Sequence, residues 1–438
     1  HLTTRQNVQY HFVPLARVPD LLHKLADVRL TTREACYNTV RNVTACPVAG
    51  IAADEVFDVR PYARKVAFSF LHKDLTDNLP RKFKIAFAGC KDDCVATSIN
   101  DLGFRAVKNV ENGAEKRGFR VTVGGGLGPL PTESRLLMEF LPAERVVNLC
   151  EAVIRVFNLH GNRGNKNKAR LKFVLRERGF DWLKETIERE YQDILVNGGI
   201  PMPEEVPEGF GGYEPQPPAP GSGAQLPILQ STATDPEFDR WLETNVEEQK
   251  QAGYSIITIR VPEGNLTGRQ MHALADLASD SGDGYVRFSM NQNILLGYIP
   301  VGRLRQVYAA LQSIGLEKSG AYRIDDITNC PGAYSCNLAL TKSMNLGEAL
   351  GAFVKGETDP EIRKLNIHIS GCPNSCGQHW TGDLGFYGNA RKVDGKQVPY
   401  YQMLLGGAQN ADGIHQFGLA IQSIPARLIP QAISRVFD

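Results

Sequence analysis

Apolar and polar positions follow the clearest pattern in the stretch that begins near residue 254. YSIITIRV (254–261) is alternating and β-branched, which is typical of a strand, and VRFSMNQNILLGYI (286–299) predicts another. GRQMHALADLAS (268–279) and VGRLRQVYAALQSIGL (301–316) place apolar residues at helical spacing. The order strand, helix, strand, helix predicts an α+β unit.

The chain repeats itself in three ordered blocks, which chance explains poorly. The blocks are TTRQNVQYHFVPLAR (3–17) with SMNQNILLGYIPVGR (289–303), RNVTACP (41–47) with DDITNCP (325–331), and RKFKIAFAGCKDDCVATSINDLGF (81–104) with RKLNIHISGCPNSCGQHWTGDLGF (363–386). We therefore expect two related halves about a pseudo-twofold axis. In the first half, some thirty residues equivalent to 254–286 have no counterpart before His1, so we expect its first strand and helix to be missing.

A Pro- and Gly-rich stretch, GIPMPEEVPEGFGGYEPQPPAPGSGAQLP (199–227), lies between the halves and predicts a linker. The repeat and this linker divide the chain into five units. We predict boundaries at 1–45, 46–198, 199–235 (the linker), 236–325 and 326–438.

Composition narrows the class of protein. The chain has 438 residues, 42% of them hydrophobic, and a net charge of +1, which argues against nucleic acid as the main partner. No run of eighteen apolar residues predicts a membrane span, and no signal peptide is evident. We expect a cytoplasmic protein.

Four of the nine cysteines lie in two short, turn-prone stretches, NCPGAYSC (329–336) and GCPNSC (371–376). A long chain with an odd, clustered set of thiols favours metal ligation over a disulfide framework. Zinc fits Cys372 and Cys376, which three residues separate, but suits Cys330 and Cys336, which five residues separate, poorly. An iron–sulfur cube accepts varied spacings. Buried structural cysteines are the third alternative.

These motifs resemble the sirohaem/[4Fe–4S] sulfite and nitrite reductase family. C-x₅-C followed by GCPNSCG carries the resemblance, and TTRQNVQ, RNVTACPVAG, LPRKFK, INDLGF and VGGGLG extend it in the family's order. The resemblance implies an α+β fold whose halves each contain a ferredoxin-like unit and a mixed-sheet unit for sirohaem and cluster. It also implies that Cys330, Cys336, Cys372 and Cys376 ligate a [4Fe–4S] cluster, with Cys376 also the axial ligand of the sirohaem iron.

The first half carries Cys46, Cys90 and Cys94 in matching places, but Ala52 stands where the fourth thiol would be. Three thiols do not complete the four-cysteine set of a cube. We favour a vestigial site over a second cluster, and we expect Cys150 to be a core residue.

The resemblance also implies an anion-binding site formed by Arg41, Lys82 and Lys84. Because Lys82 and Lys84 are two residues apart, a strand would direct both to one face. Lysines alternating on a solvated strand are the alternative explanation for this pair.

Further basic or polar residues match the family's positions around the sirohaem carboxylates. They are Arg5 and Gln9, and, in GNRGNKNKARLKF (161–173), Arg163, Lys166 and Lys168. For any one of Arg163, Lys166 and Lys168, a position on a solvated loop explains the basic side chain equally well. The glycines of VGGGLG (123–128) would let backbone approach a cofactor.

The implied activity is the six-electron reduction of sulfite to sulfide. Lys84 favours sulfite, because nitrite reductases of plant type commonly have Asn there and a monoanion needs less positive charge. Nitrite reduction to ammonia and a non-catalytic sirohaem-binding paralogue are the alternatives. Since no flavin or nicotinamide motif is evident, we expect an external donor, ferredoxin or a flavoprotein.

Overall fold

A computed structural model describes residues 1–204, 216–217, 235–409, 413 and 415–437. The strands are β1 Val40–Ala45, β2 Phe83–Ala88, β3 Leu102–Glu111, β4 Ala114–Val123, β5 Arg135–Pro142, β6 Val246–Glu248, β7 Tyr254–Ile259, β8 Arg287–Phe288, β9 Ile294–Pro300, β10 Thr328–Asn329, β11 Ile367–Ser370, β12 Leu384–Val393, β13 Lys396–Leu405, β14 Ala408–Gln409, β15 His415–Gln416 and β16 Leu419–Pro425. The α-helices are α1 Val18–Asp27, α2 Arg60–Ser69, α3 Asp74–Asp77, α4 Val146–His160, α5 Leu171–Arg178, α6 Phe180–Val196, α7 Pro236–Asn245, α8 Gly268–Ser281, α9 Leu304–Ser313, α10 Ser343–Val354, α11 Pro360–Lys364 and α12 Ile429–Phe437. Most of the predicted linker, at 205–215 and 218–234, lies outside the described residues.

Two five-stranded mixed sheets have the same topology, one in each half. The first has the order β1-β2-β3-β4-β5 and the second β10-β11-β12-β13-β16. In each sheet the first three strands are parallel and the last three antiparallel. The repeated Leu-Gly-Phe opens β3 at Leu102 and β12 at Leu384. This shared topology confirms the α+β fold with two related halves.

The central strands are buried because helices or loops cover the sheets. FKIAFA of β2 is apolar apart from Lys84, as expected for a parallel strand that is covered on both faces. Helix α2 packs on β1 and α4 packs against α2 and α6, while α10 covers β11 in the second half. Cys150 is fully buried in α4, as the sequence predicted.

A four-stranded sheet, β6-β7-β9-β8, with α8 and α9 forms the second half's smaller unit. The predicted strand at 254–261 and helix at 268–279 are confirmed, and Thr267 and Gln270 form a capping box that starts α8. The prediction of one continuous strand over 286–299 is wrong. A turn separates β8 from β9, because the Ser289 N–H donates to the Asn293 carbonyl (2.9 Å) and Gln292 adopts φ 65°.

That turn is itself part of the repeat. Gln6, the first-half equivalent of Gln292, has φ 58°. The Gln6 amide donates to the Ala45 carbonyl (2.9 Å), and the Gln292 amide oxygen accepts from the N–H of Asn329, the equivalent of Ala45 (2.8 Å). The turn therefore ties each Gln-Asn block to its cysteine-bearing strand. Among the described residues, no helix has the length and apolar character needed to cross a bilayer.

Candidate active site

Two loops carry the four cysteines of the second half, and neighbouring parallel strands bring them together. Cys330 follows β10 and Cys372 follows β11, so both loops leave the same edge of the sheet. The Cys330 N–H donates to the Ile369 carbonyl (3.2 Å), and the Gly371 N–H donates to the Cys330 thiol (3.2 Å). The Leu340 N–H donates to the Gly371 carbonyl (2.8 Å), which joins the segment after Cys336 to the loop that carries Cys372.

Two glycines allow these loops to approach so closely. A Cβ at Gly377 would lie 2.0 Å from the Ile369 carbonyl oxygen, and one at Gly371 would lie 2.7 Å from the Gly332 Cα. Both neighbours are backbone atoms that no rotamer change can move. The Gly-Cys-x-x-x-Cys-Gly spacing is therefore a packing requirement as well as a ligand motif.

The four thiols form one electrostatic group. Burial raises the pKa of Cys372, and the charges of Cys330 and Cys336 raise it further. Burial also raises the pKa of Cys376, as do Cys330 and Cys372. Thiols whose charged forms disfavour one another suit a polynuclear cationic centre, because metal coordination deprotonates and neutralises them.

The Cys376 side chain is exposed, yet burial is the first cause of its raised pKa. The Cys376 thiol is therefore partly surrounded by protein while still reaching solvent. The chain near the N-terminus contacts this loop: the Thr4 hydroxyl donates to the Cys376 carbonyl (2.7 Å), and the Gln378 amide donates to the Thr4 carbonyl (3.2 Å).

Basic side chains of the first half face the Cys376 thiol. We call Arg5, Arg41, Lys82, Lys84 and Arg170 the basic cluster. Lys82 and Lys84 lower the pKa of Cys376. Burial lowers the pKa of Lys82 to about 8, and Arg170 lowers it while Cys376 raises it. The structure thus brings three predicted residues together, namely Lys82, Lys84 and Cys376.

Burial, and after it mutual repulsion, lowers the pKa values within the basic cluster. Burial lowers the pKa of Lys84 well below its usual value, and Arg5, Lys82 and Arg170 add to the effect. Burial lowers the pKa of Arg5 to about 10. The pKa of Arg41 is also lowered, chiefly by burial and in part by Arg170. These groups are poised to take up an anion.

Arg170 and Asp101 belong to the site, and the sequence reasoning missed both. Asp101 is fully buried, and its carboxylate accepts from the Arg170 guanidinium (2.8 Å) and the Lys84 N–H (2.9 Å). Arg170 stands two residues beyond Lys168, and Asp101 begins the repeated Asp-Leu-Gly-Phe. That repeated acid was the available signal, since Asp383 accepts from the Asn366 N–H in the same way (2.8 Å).

Hydrogen bonds to the chain hold the predicted arginines. Arg5 donates to the Asn100 side chain (2.5 Å) and the Asn42 carbonyl (2.9 Å). Arg41 donates to the Tyr37 carbonyl (2.7 Å). Arg163 is exposed and donates to the Asn78 carbonyl (2.9 Å).

The remaining predicted cofactor-binding residues are exposed. Gln9 holds the first residue through its backbone, because its N–H donates to the His1 carbonyl (2.8 Å). Lys166 and Lys168 lie on one exposed 3₁₀ turn just before Arg170. The glycines at 123–128 approach the chain itself, since a Cβ at Gly125 would lie 2.2 Å from the Ser98 carbonyl oxygen.

Comparisons with known proteins agree with this geometry. Residues 36–195 and 321–438 match the family described as nitrite and sulphite reductase 4Fe-4S domain, and residues 247–314 match the nitrite/sulfite reductase ferredoxin-like half domain. An assimilatory ferredoxin-dependent nitrite reductase of Haloferax mediterranei is 30% identical over 100% of this chain and 71% of its own length. A sulfite reductase [ferredoxin] of Mycolicibacterium paratuberculosis is 28% identical over 94% of this chain and 68% of its own length.

A solved structure also aligns with the whole chain. The NirA protein of Mycobacterium tuberculosis superposes with a TM-score of 0.80 and 27% identity, covering 100% of this chain and 74% of that one. The predicted family and cofactors are thereby confirmed. The chain belongs to the nitrite and sulphite reductase family of oxidoreductases, whose proteins bind sirohaem and a [4Fe–4S] cluster.

Proposed function

We propose that this protein reduces sulfite to sulfide in a six-electron reaction between the basic cluster and Cys376. One observation carries the proposal. Several buried or half-buried basic side chains disfavour one another's charged forms, and the buried carboxylate of Asp101 lies among them. Since Arg170 pairs with Asp101, an added anion would compensate Arg5 and Lys82 and would favour protonation of Lys84. A dianion relieves this repulsion more fully than a monoanion does.

We infer that Cys330, Cys336, Cys372 and Cys376 hold the cluster and that Cys376 also ligates the sirohaem iron. When bound, the coupled centres supply electrons to the substrate. The Gly371 N–H already points at the Cys330 sulfur, and such bonds to cluster thiolates tune the reduction potential.

We further propose that Arg5, Gln9, Arg163, Lys166 and Lys168 meet the carboxylates of the macrocycle. Arg5 already lines the site, while the other four are exposed and available to an incoming anion. Arg163 would exchange its backbone contact at Asn78 for a charged one, which makes a stronger hydrogen bond.

Arg41, Lys82 and Lys84 would have different roles toward the substrate. Arg41 suits forked contacts with the oxyanion. Lys82, with a pKa of about 8, is mostly protonated at neutral pH and close enough to its titration point to donate protons as oxygen leaves as water. Lys84, whose pKa is well lowered, takes up a proton when a dianion binds beside it.

Electrons would come from a separate iron–sulfur protein of the ferredoxin type. Several relatives are named for ferredoxin, including the enzymes of Haloferax mediterranei and Mycolicibacterium paratuberculosis. A flavoprotein is the alternative donor.

Nitrite is the second candidate substrate, because two of the relatives at 30% identity are nitrite reductases, those of Haloferax mediterranei and Synechococcus elongatus. The test is steady-state turnover of sulfite and nitrite with reduced methyl viologen, for the native protein and Lys84→Asn. We expect Lys84→Asn to lower kcat/KM for sulfite at least about tenfold more than for nitrite.

The matched control is Lys364→Asn, an exposed lysine paired with Glu361 in the other half, which should leave both rates unchanged. Equal losses on both substrates in Lys84→Asn would contradict the assignment to sulfite. A chlorin-like visible spectrum without turnover of either anion would identify a non-catalytic cofactor-binding protein.

A further inference from the structure

Three thiols of the first half lie in direct contact. We call Cys46, Cys90 and Cys94 the thiol triad. Their sulfurs are separated by 3.4 Å (Cys46 to Cys90), 3.3 Å (Cys90 to Cys94) and 2.8 Å (Cys94 to Cys46). Within the described part of the chain, no other group of three or more His, Cys, Asp or Glu residues brings its donor atoms within 4.8 Å of one another.

The triad stands on the same scaffold as the cluster cysteines. Cys46 follows β1, and Cys90 follows β2, the parallel neighbour of β1. The Cys46 N–H donates to the Phe87 carbonyl (3.0 Å), which repeats the bond from Cys330 to Ile369. The loops are thus held as in the second half, but Ala52 replaces the fourth thiol and is buried.

Cys94 opens onto a cavity of about 360 Å³, which we call the second pocket. Its wall includes Asp92, Asp93, Asp326 and Asp383. The repeat makes this pocket the counterpart of the site at Cys376, because Cys94 is the equivalent of Cys376 in the shared Gly-Cys-x-x-x-Cys block.

The second pocket has the opposite charge to the basic cluster. Asn291 stands where the first half has Arg5, and Asn366 stands where it has Lys84. Near Cys90, burial raises the pKa of Glu247, and the negative charges of Asp92, Asp54 and Cys90 add to that rise.

Some of these acids are already compensated. Arg260 pairs with Asp325 (2.8 Å) and Asp326 (3.5 Å). Asp93 accepts from the Thr97 N–H (2.9 Å), with Arg105 nearby. Since the described lining of the second pocket includes four aspartates and no lysine or arginine, this region favours cations over anions.

We propose that the thiol triad binds a single thiophilic metal ion such as Zn²⁺, separate from the iron–sulfur cluster and reached through the second pocket. Zn–S bonds of about 2.3 Å place sulfurs about 3.8 Å apart. The triad needs to open by roughly 1 Å or less to hold one ion in this way. A cube needs a fourth thiolate, which Ala52 cannot provide. The fourth position on the metal faces the second pocket and takes water.

The experiment measures metal binding by the holoenzyme, with iron and acid-labile sulfide confirming a full cluster. After treatment with a chelator, the protein is titrated with Zn²⁺ against a chromophoric competitor, and bound zinc is counted by elemental analysis. We expect one zinc per chain for the native protein and for Cys150→Ala, a control that changes a buried thiol in α4. We expect none for C46A/C90A/C94A.

Cys94→Ser keeps the test decisive if the triple variant fails to fold. This change alters the sulfur that faces the pocket and should weaken zinc binding on the order of 100-fold. For the native protein, X-ray absorption at the zinc edge should show three sulfur neighbours of the bound zinc. Equal zinc binding by the native protein and Cys94→Ser would overturn the proposal. A thiol count of the metal-free protein that is two lower than the number of free cysteines would also overturn the proposal, because it would assign a disulfide between Cys46 and Cys94.

Discussion

The basic cluster and the second pocket occupy equivalent places in the two halves but carry opposite charges. Both lie beside a Gly-Cys-x-x-x-Cys loop at the end of a parallel strand. One presents Lys84 and Arg5, and the other presents Asn366 and Asn291. The comparison teaches that the sheet topology places the loops, whereas a few side chains decide which ion each half attracts.

The sulfur spacing differs as well. In the thiol triad the sulfurs touch, and Ala52 is buried where the second half has the exposed Cys336. The second half keeps a fourth thiol, Cys336, and an exposed Cys376. As we propose, the duplicated scaffold supports one polynuclear centre and one mononuclear site.

The largest expected effect comes from Cys376→Ser. If Cys376 ligates both cluster and sirohaem, as we propose, its loss should lower sulfite turnover by about a thousandfold or more and abolish the chlorin-like visible band. The equivalent change in the other half, Cys94→Ser, should leave that visible band intact. Loss of the band in both variants would show that the two loops are not functionally distinct.

Next in size is Arg170→Met. The change removes a cation from the basic cluster and leaves Asp101 buried without its ionic partner. We expect the free energy of unfolding to fall by about 3–5 kcal/mol and KM for sulfite to rise by about tenfold or more. Urea denaturation and steady-state kinetics check the two effects.

Arg391→Met is the matched control, because Arg391 lies over the Tyr400 ring on the exposed end of β12, in the other half. Arg391→Met should change neither the free energy of unfolding nor KM for sulfite appreciably. If Arg170→Met were as mild as the control, the pair formed by Arg170 and Asp101 would not organise the site.

The smallest predicted effect concerns pH. The pKa of Lys82 is lowered to about 8, so the side chain loses its proton as pH rises through that value. If protonated Lys82 donates to the substrate, kcat/KM for sulfite should fall by about tenfold per pH unit above it. Lys82→Gln should be slower at neutral pH and lack this alkaline limb. An unchanged limb in the variant would assign the titration to another group.

Much of the fold was predictable because its signals are local. The repeated blocks predicted two halves, and the apolar pattern predicted β7 and α8. The prediction over 286–299 failed because the strand period continues through Ser289 and Asn293, whose hydrogen bond turns the chain. That contact and the positive φ of Gln292 belong to the turn that separates β8 from β9.

The candidate site was predictable only in part. Lys82, Lys84 and Cys376 were each predicted as site residues, and the structure brings them close enough for the lysines to lower the pKa of Cys376. Arg170 was missed because its partner, Asp101, is 69 residues away in the sequence. The acidity of the second pocket was missed for the same reason, since Asp92, Asp326 and Asp383 come from three separate segments.

The sequence by itself determined the duplication, the elements β7 and α8 and the two cysteine spacings, because each is written in consecutive residues. Only the tertiary structure decided which charges surround each cysteine loop and how far apart the sulfurs lie. Those properties depend on groups that are distant in the chain and meet through sheet pairing and burial, and burial is what strengthens their electrostatic interactions.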